Sequence, residues 1–171
     1  MNKQTEHELL ILDGGLNLHF KGSFTVSRAY FSHGVLKSEA YYQEKQLHGR
    51  SSFYSEDGQL LSESWFWWGK KVGRCSQFYP SGALYASLNY REGKKEGLQE
   101  YFYEDGQIKT REHFYDGKLD GLSSLYWPNG QLKRESSFQQ GSRHGMDRLF
   151  NEKGALLDET QYVHGKCIEA I

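Results

Sequence analysis

The sequence predicts an all-β protein, an elongated array of 24-residue β-hairpin repeats that form a twisted antiparallel meander sheet. Glycine recurs every 24 residues. A leucine or isoleucine lies two residues after each of these glycines, and an aromatic residue lies eight after. A fixed period of this length, held without an insertion, is the signature of a repeat array. The recurring glycines are Gly34, Gly58, Gly82, Gly106, Gly130 and Gly154.

The repeat that begins at Gly106 shows why the unit is predicted to be a hairpin. Its repeated apolar positions, Ile108 and Phe114, are six residues apart. Residues at that spacing share a face of a strand but not of a helix. The segment 116–121 holds two recurring glycines and is predicted to be the turn, because glycine adopts the positive φ that turns require. The segment 122–127 is then the second strand, and 128–130 leads into the next unit.

The chain is predicted to be a single domain with an N-terminal cap at 1–33. Within this cap, 8–21 is expected to be a degenerate strand, the pair Gly14 and Gly15 to close the array, and 26–31 to be the next strand. The segment 34–171 is expected to hold five 24-residue hairpin repeats and a truncated C-terminal one. The first full turn is atypical, because Lys45 stands where later units have glycine.

Composition excludes several classes of protein. The net charge of −1, with basic residues scattered among acidic ones, argues against nucleic-acid binding, which needs a clustered basic surface. The two cysteines, Cys75 and Cys167, occupy different phases of the repeat and predict no disulfide framework. No apolar run reaches the length of a signal peptide or a membrane helix. We therefore expect a cytoplasmic protein.

The polar residues do not predict an enzyme. The seven histidines form none of the usual metal-binding spacings, and His48 and His144 share a turn position at which we expect solvated side chains. Four glutamates share one repeat position and predict a structural ladder that pairs with lysine or arginine across strands. We predict no catalytic residue, no cofactor and no metal site. The four glutamates are Glu39, Glu63, Glu135 and Glu159.

Aromatic residues that depart from the repeat pattern are the predicted partner-binding site. Trp65 and Trp67 alternate with the repeated Phe66, so they should face the other side of the sheet. Residues that vary on a fixed scaffold are typical of binding sites, and tryptophan and tyrosine are frequent interface anchors. Two alternatives stay open: a second core, if both faces are buried, and a stacking platform for a sugar or a single-stranded nucleic acid. The predicted site comprises Tyr41, Leu61, Trp65, Trp67, Tyr79, Tyr85, Tyr103, His113, Tyr115 and Trp127.

The phrase GALYASLNYREGKKEGLQEYFYEDG, residues 82–106, resembles the MORN-repeat variant of bacterial YwqK-type antitoxin proteins. The resemblance extends over roughly 26–166. It implies a non-catalytic meander of hairpins that binds another protein, which in the antitoxin setting is a toxin neutralised by direct occlusion. The open sheet edges also allow an edge-to-edge homo-oligomer.

Ordinary MORN proteins suggest a different function, a scaffold that associates with membrane phospholipids or cytoskeletal partners. The lysines of the repeated turns would then contact lipid head groups. These lysines are Lys70, Lys71, Lys94, Lys95 and Lys118.

Overall fold

The computed structural model describes residues 3–5, 8–11, 17–20 and 23–170, with side chains over 23–168. These residues form sixteen β-strands and no helix. The strands are β1 (Lys3–Thr5), β2 (Glu8–Ile11), β3 (Asn17–Phe20), β4 (Ser23–Tyr30), β5 (Leu36–Gln43), β6 (Gln46–Tyr54), β7 (Leu60–Trp67), β8 (Lys70–Phe78), β9 (Leu84–Arg91), β10 (Lys94–Phe102), β11 (Ile108–Tyr115), β12 (Lys118–Tyr126), β13 (Leu132–Gln139), β14 (Ser142–Phe150), β15 (Leu156–Val163) and β16 (Lys166–Ala170).

From β4 to β16 the strands follow one another in a single sheet in the order of the chain. The prediction of an all-β antiparallel meander of 24-residue hairpins is therefore confirmed. The chain divides into two compact units. The N-terminal unit comprises 1–84 and 89–93, and the C-terminal unit comprises 85–88 and 94–171.

The N-terminal segment differs from its prediction. The segment 8–21, expected to be one degenerate strand, contains β2 and β3, which pair with each other in a separate two-stranded sheet. The strand expected at 26–31 is β4, which begins at Ser23 and pairs with both β1 and β5. Gly14 and Gly15, expected to close the array, lie outside the described residues.

The turn within each hairpin has only two residues. Tyr115 pairs with Lys118 around Asp116 and Gly117, whose φ angles are 48° and 80°. Positive φ at both positions identifies a type I′ turn, which matches the twist of the two strands and favours glycine at its second position. The predicted turn at 116–121 was therefore too long, because β12 already begins at Lys118.

The second recurring glycine of each unit lies in a β-bulge rather than in the turn. In β12, Ser123 pairs with Glu112 and Leu119 with Phe114, so three residues of β12 stand opposite the single residue His113. Gly121 lies in this bulge with φ 105°, and a Cβ placed on it would come 3.4 Å from the Cβ of His113. Glycine is needed here for its conformation and for the close approach of the facing strand.

Successive hairpins are joined by a turn that contains the 24-residue glycine. The amide of Gly130 donates to the carbonyl of Trp127 over 2.9 Å, and the amide of Trp127 donates to the carbonyl of Gln131 over 2.8 Å. Gly130 has a φ of 81°. This glycine ends the turn in the left-handed conformation, which explains its recurrence in every unit.

A repeated lock holds each type I′ turn to the preceding hairpin. The amide of Gly117 donates to the carbonyl of Lys95 over 3.0 Å. In three of these turns, a side chain on the preceding hairpin, next to its bulge glycine, also accepts the amide of the first turn residue. The acceptor and donor atoms are His48 Nδ1 with Trp68 N at 3.4 Å, Glu96 Oε2 with Asp116 N at 2.8 Å, and Asp120 Oδ2 with Gln140 N at 3.1 Å.

Lys45→Gly is expected to stabilise the protein by about 1 kcal/mol. Lys45 has a φ of 66° at the turn position that glycine occupies in the later units. A left-handed residue with a Cβ costs roughly 1–2 kcal/mol, which exceeds the added chain entropy of glycine. Urea unfolding measures the change. Lys153→Gly is the control, because Lys153 is an exposed turn lysine without positive φ; an equal gain in both variants would contradict the prediction.

Candidate functional site

The predicted charge ladder forms on the sheet and is a structural element. In the N-terminal unit, Glu39 is only 7% exposed and lies between Arg28, at 2.6 Å, and Arg50, at 3.2 Å. Arg50 also lies 3.8 Å from Glu63. The hydrogen bond to Glu39 raises the pKa of Arg28. The predicted pairing of the glutamate column with basic residues across strands is confirmed here.

The ladder recurs in the C-terminal unit with a different order of charges. Arg148 forms ion pairs with Glu159 and, at 4.0 Å, with Glu135. Arg111 occupies the glutamate position of its own hairpin and pairs with Glu100 at 2.9 Å. The swap of charge is therefore compensated across the strands, which is expected of a scaffold element rather than of a pair of catalytic carboxylates.

One predicted tryptophan of the N-terminal unit, Trp67, contacts a buried histidine. His48 is 2% exposed, and its ring centroid lies 4.5 Å from that of Trp67, 4.7 Å from Trp68 and 5.9 Å from Phe24. Burial lowers the pKa of His48. The expectation of a solvated turn histidine was wrong, because β6 begins at Gln46 and places His48 beside the bulge at Gly49. The contact with His48 favours the second-core interpretation for Trp67.

The other predicted site residues of this unit are also half-buried. Trp65 pairs with Arg50 on one side and with Val72 on the other. The Cβ of Tyr41 lies 3.2 Å from the position of a Cβ added to Gly49. Leu61 lies on β7, and the Tyr79 amide donates to the carbonyl of Ala83 at the start of a turn.

Tyr103 and Trp127 bridge consecutive hairpins of the C-terminal unit. The Tyr103 hydroxyl donates to the carbonyl of Tyr126 over 2.8 Å, and the Trp127 Nε1 donates to the carbonyl of Phe150 over 3.2 Å. A lysine ammonium group also lies over each ring. Lys109 Nζ lies 5.6 Å from the Tyr103 ring centroid, and Lys133 Nζ lies 4.0 Å from the Trp127 ring centroid. Both aromatic residues therefore join the hairpins of the scaffold.

Tyr85 lines a shallow groove of about 220 Å³ in the same unit. Its ring lies 6.0 Å from the ring of Tyr101 in an edge-to-face arrangement. The remaining lining residues are Lys109, Thr110 and Glu112. The groove thus combines two aromatic walls with donors and an acceptor of hydrogen bonds, and it is large enough to hold one side chain of a partner.

His113 and Tyr115 belong to an exposed row on one face of the C-terminal unit. They lie two residues apart on β11, so their side chains share a face. Tyr115 is 61% exposed, and Leu122, beside the bulge opposite His113, is 45% exposed. Two half-buried residues adjoin them: Leu98, which pairs directly with His113, and Met146, which follows Leu122 by one repeat period. We call Leu98, His113, Tyr115, Leu122 and Met146 the exposed row.

The sequence analysis missed Leu98, Leu122 and Met146. These residues share one repeat position, which arginine occupies at Arg50 and Arg74 in the N-terminal unit. That change from charged to apolar residues was the available signal. This signal could not be interpreted while 116–121 was predicted to be the turn. The bulge at Gly121 determines which side chains of the second strand lie on the same face as His113.

The turn lysines pack against the scaffold. The stem of Lys94 lies 3.5 Å from the position of a Cβ on Gly117, and its Nζ contacts Asp116 at 2.5 Å. Hydrogen bonding to Lys94 lowers the pKa of Asp116. Lys95 Nζ lies 4.7 Å from the ring centroid of Phe114. The Gly-Lys pattern thus has a structural explanation in the contact of each lysine with the next turn.

Neither a metal-binding cluster of three or more side chains nor a membrane-spanning helix is present in the part of the chain that the structure describes. No cluster of three or more histidine, cysteine, aspartate or glutamate side chains in 23–168 could hold a metal ion. Over the same part of the chain, no helix has the length and apolarity needed to cross a bilayer.

Comparison with known proteins supports the repeat assignment. A search of curated proteins gives no match to the chain. The family model described as MORN repeat variant matches residues 47–67, 95–116 and 119–140. Each match begins near the start of the second strand of one hairpin and reaches the end of the first strand of the next. The chain therefore carries MORN repeat variant units.

Proposed function

We propose that this protein is a non-catalytic binding module that recognises a protein partner through the exposed row of its C-terminal unit. The observation that supports this function is the exposure of Tyr115 and Leu122, at 61% and 45%, beside His113 on one face of the sheet. Apolar side chains that lie together on an exposed surface mark interaction sites in soluble proteins. Tyrosine is also among the most frequent hot-spot residues of interfaces.

The surroundings of the exposed row suit a protein interface. The Arg111–Glu100 ion pair lies along its border, two residues from His113 on β11. Interfaces commonly combine an apolar centre with a polar rim, and the rim charges set orientation and the association rate. The sheet itself supplies a rigid support, because each hairpin is locked to its neighbour through its turn. A partner would thus meet a surface that is already ordered.

The finer form of this proposal is an antitoxin-type role in the cytoplasm, in which the bound partner is a toxin. The mechanism would be steric occlusion, since this surface offers aromatic anchors and no arrangement of nucleophile and base. The MORN repeat variant match supports a repeat scaffold and does not name a partner. The partner must therefore be identified directly.

Removal of the exposed row should abolish partner capture. Tyr115→Ala combined with Leu122→Ser is expected to weaken the complex by at least about 2 kcal/mol, or roughly 30-fold in Kd, because buried hot spots contribute that much. The tagged full chain is used to recover a stoichiometric partner from its own host, and mass spectrometry identifies it. Kd is then measured by calorimetry.

The control combines Tyr30→Ala with Leu157→Ser, two residues of similar exposure, 57% and 60%, outside the row. The control should bind like the wild type. Equal affinity of both double variants would contradict the assigned surface, and recovery of a second copy of this chain would point instead to a homo-oligomer. Circular dichroism shows that each variant is folded.

Association with membrane phospholipids is the second candidate function. The turn lysines supply the positive charge for it, although Lys94 already contacts Asp116 and the stems of the turn lysines pack on glycines. Sedimentation of the protein with phosphoinositide-containing vesicles, falling as salt is raised, would favour this candidate.

A further inference from the structure

The last complete type I′ turn keeps the backbone hydrogen bond to the preceding hairpin but lacks the side-chain hydrogen bond that three earlier turns have. In three earlier hairpins the side chain before the bulge glycine accepts the amide of the first turn residue of the next hairpin. At the equivalent place the C-terminal unit has His144, and the turn residue is His164. The two rings lie 5.0 Å apart between centroids. Two imidazoles therefore meet where three earlier hairpins make a hydrogen bond.

One of these imidazoles has a nitrogen without a partner. The Nδ1 atom of His144 is buried and has no hydrogen-bond partner among the described residues. A buried polar atom without a partner destabilises the folded state. The equivalent nitrogen of His48 accepts the amide of Trp68. The unsatisfied nitrogen, together with a second imidazole beside it, indicates a ligand between these two side chains.

We propose that His144 and His164 form a two-histidine site for a divalent transition-metal ion of the Zn²⁺ class. Imidazole nitrogen is the most frequent protein ligand for these ions. With a metal–nitrogen distance of about 2.0–2.1 Å, the metal lies about 3.2 Å from each ring centroid. Two rings on one ion are then separated by about 5.2 Å at a tetrahedral angle and about 4.5 Å at a right angle. The observed 5.0 Å lies between these values.

The backbone around the site is already fixed. The amide of Gly165 donates to the carbonyl of Arg143 over 2.8 Å, which holds the His164 turn on β14 beside His144. The guanidinium of Arg143 lies 3.1 Å from Asp147 Oδ2, so the nearest cation in sequence has a carboxylate partner. Water would complete the coordination, because two side chains supply only two ligands. The bound ion would replace the missing hydrogen bond as the lock of this turn.

The test is titration of the full, untagged chain with ZnCl₂ in metal-free buffer at pH 7.5, followed by calorimetry. The expected result is one equivalent bound with a Kd on the order of tens of micromolar, since only two protein ligands contribute. His164→Asn should weaken binding at least ten-fold. It should also fold, because asparagine is favoured at the φ of 49° that His164 adopts. His144→Asn should have the same effect on binding.

Three controls isolate the site. His33→Asn changes an exposed histidine of the N-terminal unit and should leave Zn²⁺ binding unchanged. Cys167→Ser removes an exposed thiol that could act as a competing ligand, and the site should persist without it. Zn²⁺ should raise the melting temperature of the wild type but not that of His164→Asn. Absence of saturable binding up to millimolar Zn²⁺, or equal affinity in the wild type and both site variants, would overturn the proposal.

Discussion

Gly145→Ala is expected to destabilise the protein by about 3 kcal/mol. Gly145 lies in the bulge of β14 with a φ of 104°, and an added Cβ would come 3.0 Å from the Cβ of Ser137. The backbone conformation alone costs a residue with a Cβ roughly 1–3 kcal/mol. The contact adds to this cost, because the Ser137 Cβ is fixed to its strand and cannot rotate away. Urea unfolding of both proteins measures the difference.

Gly97→Ala is the matched control for this effect. Gly97 has the same place in the repeat two units earlier and also has a positive φ, of 69°, but no atom lies within 4 Å of its added Cβ. Its substitution should therefore cost only the backbone strain, about 1–2 kcal/mol. Equal destabilisation by the two substitutions would show that the facing strand relaxes freely, and would contradict close approach as the reason for this glycine.

The 24-residue period was sufficient to predict the architecture and the charge ladder. Residues at equivalent positions of a repeat have equivalent neighbours. The recurrence of glutamate at one position, as in Glu39 and Glu63, therefore indicates the same structural environment in several hairpins. Ion pairs of Arg28 and Arg50 with Glu39 confirm that prediction. The ladder follows from period and strand pairing alone, without any knowledge of turn geometry.

Turn geometry could not be obtained from the glycines themselves. Gly117 and Gly121 both adopt positive φ, at 80° and 105°, yet one lies in a turn and the other in a bulge. Glycine reports the backbone conformation and not the hydrogen-bonding partner of its segment. The error moved the predicted start of the second strand by four residues, from Lys118 to Leu122. It thereby hid the side chains that join His113 in the exposed row.

The sequence pattern also did not predict which side chains are buried. A histidine next to a glycine-rich turn was taken as solvated, whereas His48 is enclosed by aromatic rings from two other segments of the chain. Trp67 was predicted to contact a partner, with a second core as the alternative, and its ring packs on His48. Both facts depend on contacts between hairpins. The alternation of side chains along a single strand does not specify the geometry of those contacts.

Loss of the His48 ring is the second large effect that the structure predicts. His48→Ala is expected to destabilise the protein by about 3 kcal/mol, because it removes the ring between Phe24 and Trp67 and leaves the Trp68 amide without its acceptor. Thermal and urea unfolding measure the loss. His33→Ala, at an exposed histidine, is the control and should change stability little.

Acid should produce part of the same effect without a mutation. Burial lowers the pKa of His48 below its ordinary value of 6.5, so folding favours the neutral ring. Its contribution to stability is therefore fully present above the unfolded pKa and is lost as the pH falls through 6.5 towards and below the folded pKa.

Urea unfolding between pH 7.5 and 5 should show a smaller loss of unfolding free energy in His48→Gln than in the wild type. Glutamine keeps an acceptor for the Trp68 amide but does not titrate. Identical pH dependence in the wild type and His48→Gln would show that this ring accepts a proton in the folded protein as readily as in the unfolded chain.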